Sequence, residues 1–190
     1  MTKSRKKKVA VGFVALGCPK NVVDSEKMLA EIVEAGFLIA ADPSQADVVV
    51  VNTCGFIEPA KVESLDAIAQ AVADKRNGRV QKVIVAGCLA QRLGAQLLDE
   101  AEGVDAVVGL GQRDSIVQII RRTLAACEPG VYSDRTFPVP TDDRVRLRIG
   151  PAHSAYLRIS EGCDHRCSFC TIPAIRGPFR SKPPELVLEE

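Results

Sequence analysis

From residue 9 onward, short unbroken apolar runs alternate with stretches whose apolar residues recur at helical spacing. "VAVGFVAL" (9–16), "DVVVVNT" (47–53), "KVIVAG" (82–87) and "VDAVVG" (104–109) predict buried strands, with a weaker candidate at 37–40. "DSEKMLAEIVEAG" (24–36) predicts a helix: Asp24 or Ser25 can cap its first turn, Met28, Leu29, Ile32 and Val33 form an apolar stripe, and Gly36 ends it. Further helices are expected from Pro59 to Lys75, over roughly 90–101 and over 113–126. Continuous apolar strands separated by helices require a parallel sheet covered on both faces. With about five strands, the pattern predicts an α/β, flavodoxin-like doubly wound parallel sheet domain over residues 9–127.

The pattern then changes. Residues 128–152 carry Pro129, Pro138, Pro140 and Pro151 and read as a linker, within which the alternating "RVRLRI" (144–149) predicts a short strand with a basic face. "AYLRIS" (155–160) predicts a new strand and "PPELVLEE" (183–190) the opening turns of a helix. Residues 153–190 therefore read as the first βα unit of a second, larger domain whose remainder does not follow Glu190. The expectation is a fragment that does not turn over by itself. Residues 1–8, with the run "KSRKKK", read as a basic, solvated tail.

Composition narrows the setting. A net charge of +1 gives no global field for nucleic acid or membrane, and 46% hydrophobic residues suit an ordinary globular core. No stretch approaches the ~20 apolar residues of a membrane span, and the apolar run after the basic start is better read as a strand than as a signal-peptide core. The expected location is the cytoplasm, where seven cysteines point to metal or redox work rather than to disulfides.

Three of those cysteines crowd one loop. "RISEGCDHRCSFCTIPAIRGPFRSK" (158–182) places Cys163, Cys167 and Cys170 at C-x3-C-x2-C spacing directly after a predicted strand. A structural zinc takes four protein ligands, so zinc here would need His165 or His153 as the fourth. A four-iron cluster held by three cysteines leaves one iron open to bind a ligand. Cys18 ("ALGCPKN"), Cys54 ("VNTCGF") and Cys88 ("VAGCLA") each stand immediately after a predicted strand and before a helix. Such loops lie along the carboxyl edge of a doubly wound sheet. If the run at 37–40 takes an outer position, the first, third and fourth strands become neighbours, and the three cysteines meet as a second metal centre. A buried cysteine can also be merely a small hydrophobe. Cys127, at a helix end, reads as structural. No side chain stands out as a general acid or base.

The motif C-x3-C-x-aromatic-C, with Phe169 as the aromatic, resembles the signature of the radical S-adenosylmethionine superfamily, and "SEGCDHRCSFCTIPAIRG" resembles its methylthiotransferase family. The resemblance extends over the whole chain, through the three single cysteines to the triple-cysteine loop. It implies two [4Fe-4S] clusters, one on Cys18, Cys54 and Cys88 and one on Cys163, Cys167 and Cys170. The latter would bind S-adenosylmethionine and open a radical-SAM TIM-type barrel. It further implies reductive cleavage of S-adenosylmethionine to a 5′-deoxyadenosyl radical, an external electron donor, and transfer of a methylthio group from the other cluster's free iron. "LGCPKNVVDSE" (16–26) is similar to the branch that modifies an aspartate β-carbon of small-subunit ribosomal protein twelve, alone or in the assembled small subunit, rather than to the branch acting on isopentenyladenosine in tRNA. A non-catalytic electron-transfer or cluster-carrier module is the alternative from another class.

Overall fold

The structure, a computed structural model, describes residues 8–133, 137 and 142–190. Lys3, Arg5, Lys6 and Lys7 of the basic tail, with Pro138 and Pro140 of the linker, lie outside the described residues.

Six strands make one all-parallel sheet: β1 (Ala10–Ala15), β2 (Leu38–Ile39), β3 (Val48–Thr53), β4 (Lys82–Gly87), β5 (Ala106–Val108) and β6 (Gly130–Tyr132), in the order β2-β1-β3-β4-β5-β6. β3 is buried along its whole length because successive side chains enter opposite apolar layers, as the two-residue period of a strand requires. Val48 and Val50 pack with Met28, Ile32, Ile84 and Ile120 on one face, while Val49 and Val51 pack with Ile68, Val83, Val85 and Leu97 on the other. α1 (Pro19–Glu34) and α5 (Ile116–Ala125) cover the first face; α2 (Glu58–Arg76), α3 (Cys88–Leu93) and α4 (Gln96–Glu100) cover the second. The flavodoxin-like α/β expectation holds in its parallel sheet, in the outer place of β2, and in the adjacency of β1, β3 and β4.

Several local expectations are corrected. α1 begins at Pro19, not near Asp24: proline suits a first helical position, and Asp24 and Ser25 are buried inside the helix instead of capping it. The helix expected over 90–101 is two, separated at Gly94, whose φ of +54° breaks the run. The segment 113–126 opens as a 3-10 turn, Leu110–Ser115, before α5. β6 is a sixth strand drawn from within 128–152, pairing with β5 through Val107 and Val131.

The later segment departs further. "RVRLRI" forms no strand. It runs along α1, where Leu147 N donates to Glu26 O at 3.0 Å and Ile149 N to Glu26 Oε1 at 3.2 Å. Its arginines are engaged: Arg146 pairs with Glu26 and Glu190, Arg144 with Asp142 and Glu189, and Arg148 donates to the carbonyls of Pro151, Ala152 and Ser154. Val145, Leu147 and Ile149 are exposed, as are Arg144 and Arg148, and the expected basic face is engaged by carboxylates and carbonyls. "AYLRIS" is extended as a strand only at β7 (Ser160–Glu161), which pairs antiparallel with β8 (Arg180–Ser181). α6 (Ile172–Arg176) and α7 (Pro184–Glu189) follow the cysteine loop. β7 pairs here with β8 alone, as a short antiparallel pair, and the described residues show no part of a barrel. No helix among the described residues is long and apolar enough to cross a membrane.

Glu31, on the outer side of α1, is half-buried; burial and then the nearby Asp114 push its carboxyl up to about 7, against the opposing pull of Lys27 and Arg113. A carboxyl whose folded pKa is raised holds its proton in the folded state where the unfolded chain has released it. Stability therefore falls as pH rises from the unfolded value toward 7 and then levels off. Glu31→Gln should accordingly gain stability relative to the parent as pH goes from 5 to 8, measured by urea unfolding; an equal difference at both pH values would contradict this.

Candidate metal centre and its charge network

Three adjacent strands deliver three cysteines to one edge of the sheet. Cys18 is the N-cap of α1 beyond β1, Cys54 follows β3, and Cys88 opens α3 directly after β4. Cys54 and Cys88 are buried and Cys18 is exposed; all are free thiols. The turns are close-fitting. Gly17 has φ +93°, and a Cβ there would lie 2.8 Å from Cys54 Cβ and 3.3 Å from its Sγ, which brings the Cys18 loop against Cys54. Gly87 has φ +95°, and a Cβ there would collide with Asn52 Oδ1 at 2.3 Å.

Asn21 holds these loops together. Its Nδ2 donates to Leu16 O at 3.1 Å and Thr53 O at 2.8 Å, and its Oδ1 accepts from the Cys88 thiol at 3.5 Å. One amide in the first turn of α1 therefore bridges the β1, β3 and β4 loops. Ser64 on α2 fixes Cys54 from the other side, accepting from Cys54 N at 3.0 Å and donating to Cys54 O at 2.8 Å. Burial pushes the Cys88 thiol up to about 11, with Arg176 opposing. A ligand that replaces that proton, such as iron, meets a sulfur otherwise kept neutral.

Beneath the cysteines lies a buried charge network. Asp24 is 1% exposed and accepts from three guanidinium groups: Arg113 at 2.5 Å, Arg158 at 2.6 Å and Arg176 at 3.1 Å. Burial alone would raise its pKa; Arg113, Arg176 and Arg158 outweigh burial and hold the carboxyl well below the usual range. Arg158 also pairs with Asp143 (Nε to Oδ2, 3.0 Å) and Glu161 (3.1 Å), and Lys182 reaches Asp143 at 3.3 Å. Lys20, beside Cys18, donates to Ser160 O and lies 3.9 Å from Glu161.

The second triad sits on the loop after β7. Cys163 N donates to Gly177 O at 3.1 Å, Cys170 N to Cys167 O at 3.1 Å, and Phe179 N to Asp164 Oδ1 at 2.9 Å, which closes the loop on itself. Cys163 and Cys170 are half-buried and Cys167 is exposed, as are His153, His165 and Phe169. α6 leaves this loop and docks on the first triad: Ile175 packs against Cys88 and Leu110, and Arg176 Nη2 donates to Cys88 Sγ at 3.5 Å.

Among the described residues, no three His, Cys, Asp or Glu side chains stand close enough to share a single metal ion. A four-iron cluster asks less of the same residues, one thiolate per iron, and each triad offers three free thiols with no fourth cysteine attached. The donor chemistry fits such a cluster. Cys127 stands apart, exposed after α5. Sequence reasoning missed Asn21, Ser64, Asp24, Arg113, Arg158 and Arg176. Asn21 alone left a local signal, a short amide three residues after a cysteine at a helix start; the others are placed by bonds such as Ser64 to Cys54 across 10 positions and Arg176 to Asp24 across 152.

Comparison with known proteins agrees with the motifs. The profile of a family described as "Uncharacterized protein family UPF0004" matches residues 10–109. A ribosomal protein uS12 methylthiotransferase RimO from Pelotomaculum thermopropionicum is 45% identical over 188 residues, covering 96% of this chain and 41% of the relative. Proteins of the same name from Solibacter usitatus and Anaeromyxobacter sp. (strain K) are 46% and 47% identical, covering 95% and 88% of this chain and 38% and 35% of the relatives. The chain spans about two fifths of the length of these relatives.

Asp24→Asn keeps the shape of the network but removes the charge that three guanidinium groups share. Breaking a buried pair costs about 3–5 kcal/mol, and that loss is expected for the variant at pH 7 by urea unfolding. The depressed pKa of Asp24 sets the sign: its contribution is complete above the ordinary carboxylate pKa and is lost as pH falls toward the folded value. The gap between parent and variant should therefore narrow between pH 5 and pH 3. A gap that stays constant would remove Asp24 from this role.

Proposed function

Because the chain belongs to the UPF0004 family, we propose that it forms the cluster-binding part of a radical S-adenosylmethionine methylthiotransferase whose substrate is an aspartate of ribosomal protein uS12. The observation that carries this reading is the arrival of Cys18, Cys54 and Cys88 on one sheet edge through the adjacency of β1, β3 and β4. A helix from the triple-cysteine loop docks upon them. The names of the similar proteins supply the substrate.

In this reading Cys18, Cys54 and Cys88 hold one [4Fe-4S] cluster, and Cys163, Cys167 and Cys170 hold another that binds S-adenosylmethionine. The clusters, when bound, supply the electron that cleaves S-adenosylmethionine and an open iron for the transferred sulfur. The chain's own residues do the positioning. Asn21 and Ser64 fix the loops of the first triad, burial of Cys54 and Cys88 keeps water from their sulfurs, and α6 sets the second loop against the first. An external one-electron donor is required, and the expected setting is the cytoplasm, on free uS12 or the assembled small subunit. The tRNA alternative loses one support, since Arg144, Arg146 and Arg148 are occupied by carboxylates and carbonyls. A cluster-carrier module differs in a simple way: its clusters would not change spectrum on adding S-adenosylmethionine.

Iron and acid-labile sulfide per chain after anaerobic reconstitution test the proposal. The parent should bind about eight irons, and a Cys18→Ala/Cys54→Ala/Cys88→Ala variant about four. About four in both would remove the first-triad cluster and with it methylthio transfer; zinc in place of iron would overturn the reading entirely.

A further inference from the structure

The geometry points to Arg176 as the residue that sets the reduction potential of the cluster held by Cys18, Cys54 and Cys88, by hydrogen-bonding the Cys88 sulfur from the opposite cysteine loop. This rests on the reading of those cysteines as cluster ligands.

Arg176 is 2% exposed, and its guanidinium is held from several sides. Nη1 lies 3.1 Å from each oxygen of Glu161, while Nη2 reaches Asn21 Oδ1 at 2.8 Å, Asp24 Oδ2 at 3.1 Å and Cys88 Sγ at 3.5 Å. The planar fork is fixed by two carboxylates; Nη2 has two N–H groups for three acceptors, so the Cys88 sulfur, the most distant of them, shares an N–H with its oxygen neighbours while the charged group is held against it. Glu161 and Asp24 thus orient the group, and Ile175, packed on Cys88, holds α6 in place.

The arrangement suits an iron-bound sulfur better than a thiol. As a thiol, Cys88 donates its proton to Asn21 Oδ1, which also accepts from Arg176. With a metal in place of that proton, Asn21 Oδ1 would keep Arg176 as its donor, and the sulfur, now only an acceptor, would share an Arg176 N–H and lie against the guanidinium charge. No buried polar atom is orphaned by the exchange. The guanidinium stays charged at every working pH. Hydrogen bonds to a cluster's sulfurs and nearby positive charge favour its reduced, more negative state, and so raise its potential. The adjoining Cys54 is fixed through Ser64 and receives no comparable charge. The residue that tunes one triad is carried only six positions after the last cysteine of the other. Displacement of the triple-cysteine loop would therefore be felt at the first triad as loss of a charged donor.

The test is an EPR-monitored redox titration with dithionite and mediators. It uses the chain carrying Cys163→Ala, Cys167→Ala and Cys170→Ala, so that only the first-triad cluster reports. Arg176→Gln should lower the reduced-to-oxidised ratio at fixed potential about tenfold, which is ~59 mV for one electron. Arg176→Lys, which keeps charge without the fork, should restore part of the shift. Arg158→Lys, in the same network without a contact to Cys88, should leave the midpoint in place. A fully loaded Arg176→Gln protein with an unshifted midpoint would overturn the inference, and so would an equal shift in Arg158→Lys. If Arg176→Gln does not fold, the parent chain labelled with 15N-arginine decides: the reduced cluster should show a guanidinium nitrogen coupling by pulsed EPR, and its absence overturns the inference. These results leave the proposed function standing. A parent that binds no iron on Cys18, Cys54 and Cys88 overturns that function instead, and this inference with it.

Discussion

A single carboxylate, Asp24, holds the later segment of the chain against the sheet. Its two oxygens face Arg113 from the turn after β5, Arg158 from the segment just before β7, and Arg176 from the helix leaving the cysteine loop. Each of these charges is too buried to be solvated, so none is tolerable without the others. Asp143 and Glu161 extend the same condition, Asp143 pairing with Arg158 and Lys182 and Glu161 with Arg158 and Arg176. The docking of residues 158–182 on the sheet follows from this balance more than from apolar area. Among the apolar side chains of 145–159, Val145, Leu147, Ile149, Leu157 and Ile159 stay exposed.

A buried ionic network is a poor source of net stability compared with apolar packing of the same volume, because desolvation takes back most of what pairing gives. What it offers is direction. A guanidinium fork accepts carboxylates only in its own plane and along fixed lines. Arg158 and Arg176 both meet Asp24 and Glu161, so a shift of one helix turn would break several bonds at once. An oily contact would tolerate the slide. The site on the sheet edge requires that intolerance, since it depends on where the sulfur of Cys88 stands relative to a loop about ninety residues away in sequence.

Much of the fold was legible because its signals are local. The valine runs of β3 and β4 read as strands buried on both faces, and the condition set for the weak run at 37–40, an outer position, is met by β2, which makes β1, β3 and β4 neighbours and gathers the loops of Cys18, Cys54 and Cys88. What misled was polarity taken at face value. Asp24 and Ser25 look like a helix cap and are buried in mid-helix, Asp24 with partners up to 152 positions away and Ser25 bonded to Asn21 and Asn52. The arginines of "RVRLRI" look like a solvent-facing basic stripe, yet two of them answer acidic side chains and the apolar alternates face outward. In both cases the pattern shows which residues are charged but carries nothing about which charges meet. That depends on topology, and topology brings Asp24, Arg113, Arg158 and Arg176 together only after the sheet has formed.

The same dependence gives the two cysteine groups their relation. The first triad is positioned by the sheet, through strand ends, two close-fitting glycines and the amide of Asn21. The second is positioned by its own loop, closed between Cys163 and Gly177 and anchored through Arg176. Asn21 is where they join: it ties the loops of β1 and β3 with its nitrogen and holds Cys88 and Arg176 with its oxygen. Moving either group strains bonds that orient the other. In the proposed reading the two cysteine groups must be held at a fixed separation, more tightly than a flexible linker permits. Here that rigidity comes from one amide and one guanidinium, each satisfied on both sides of the boundary.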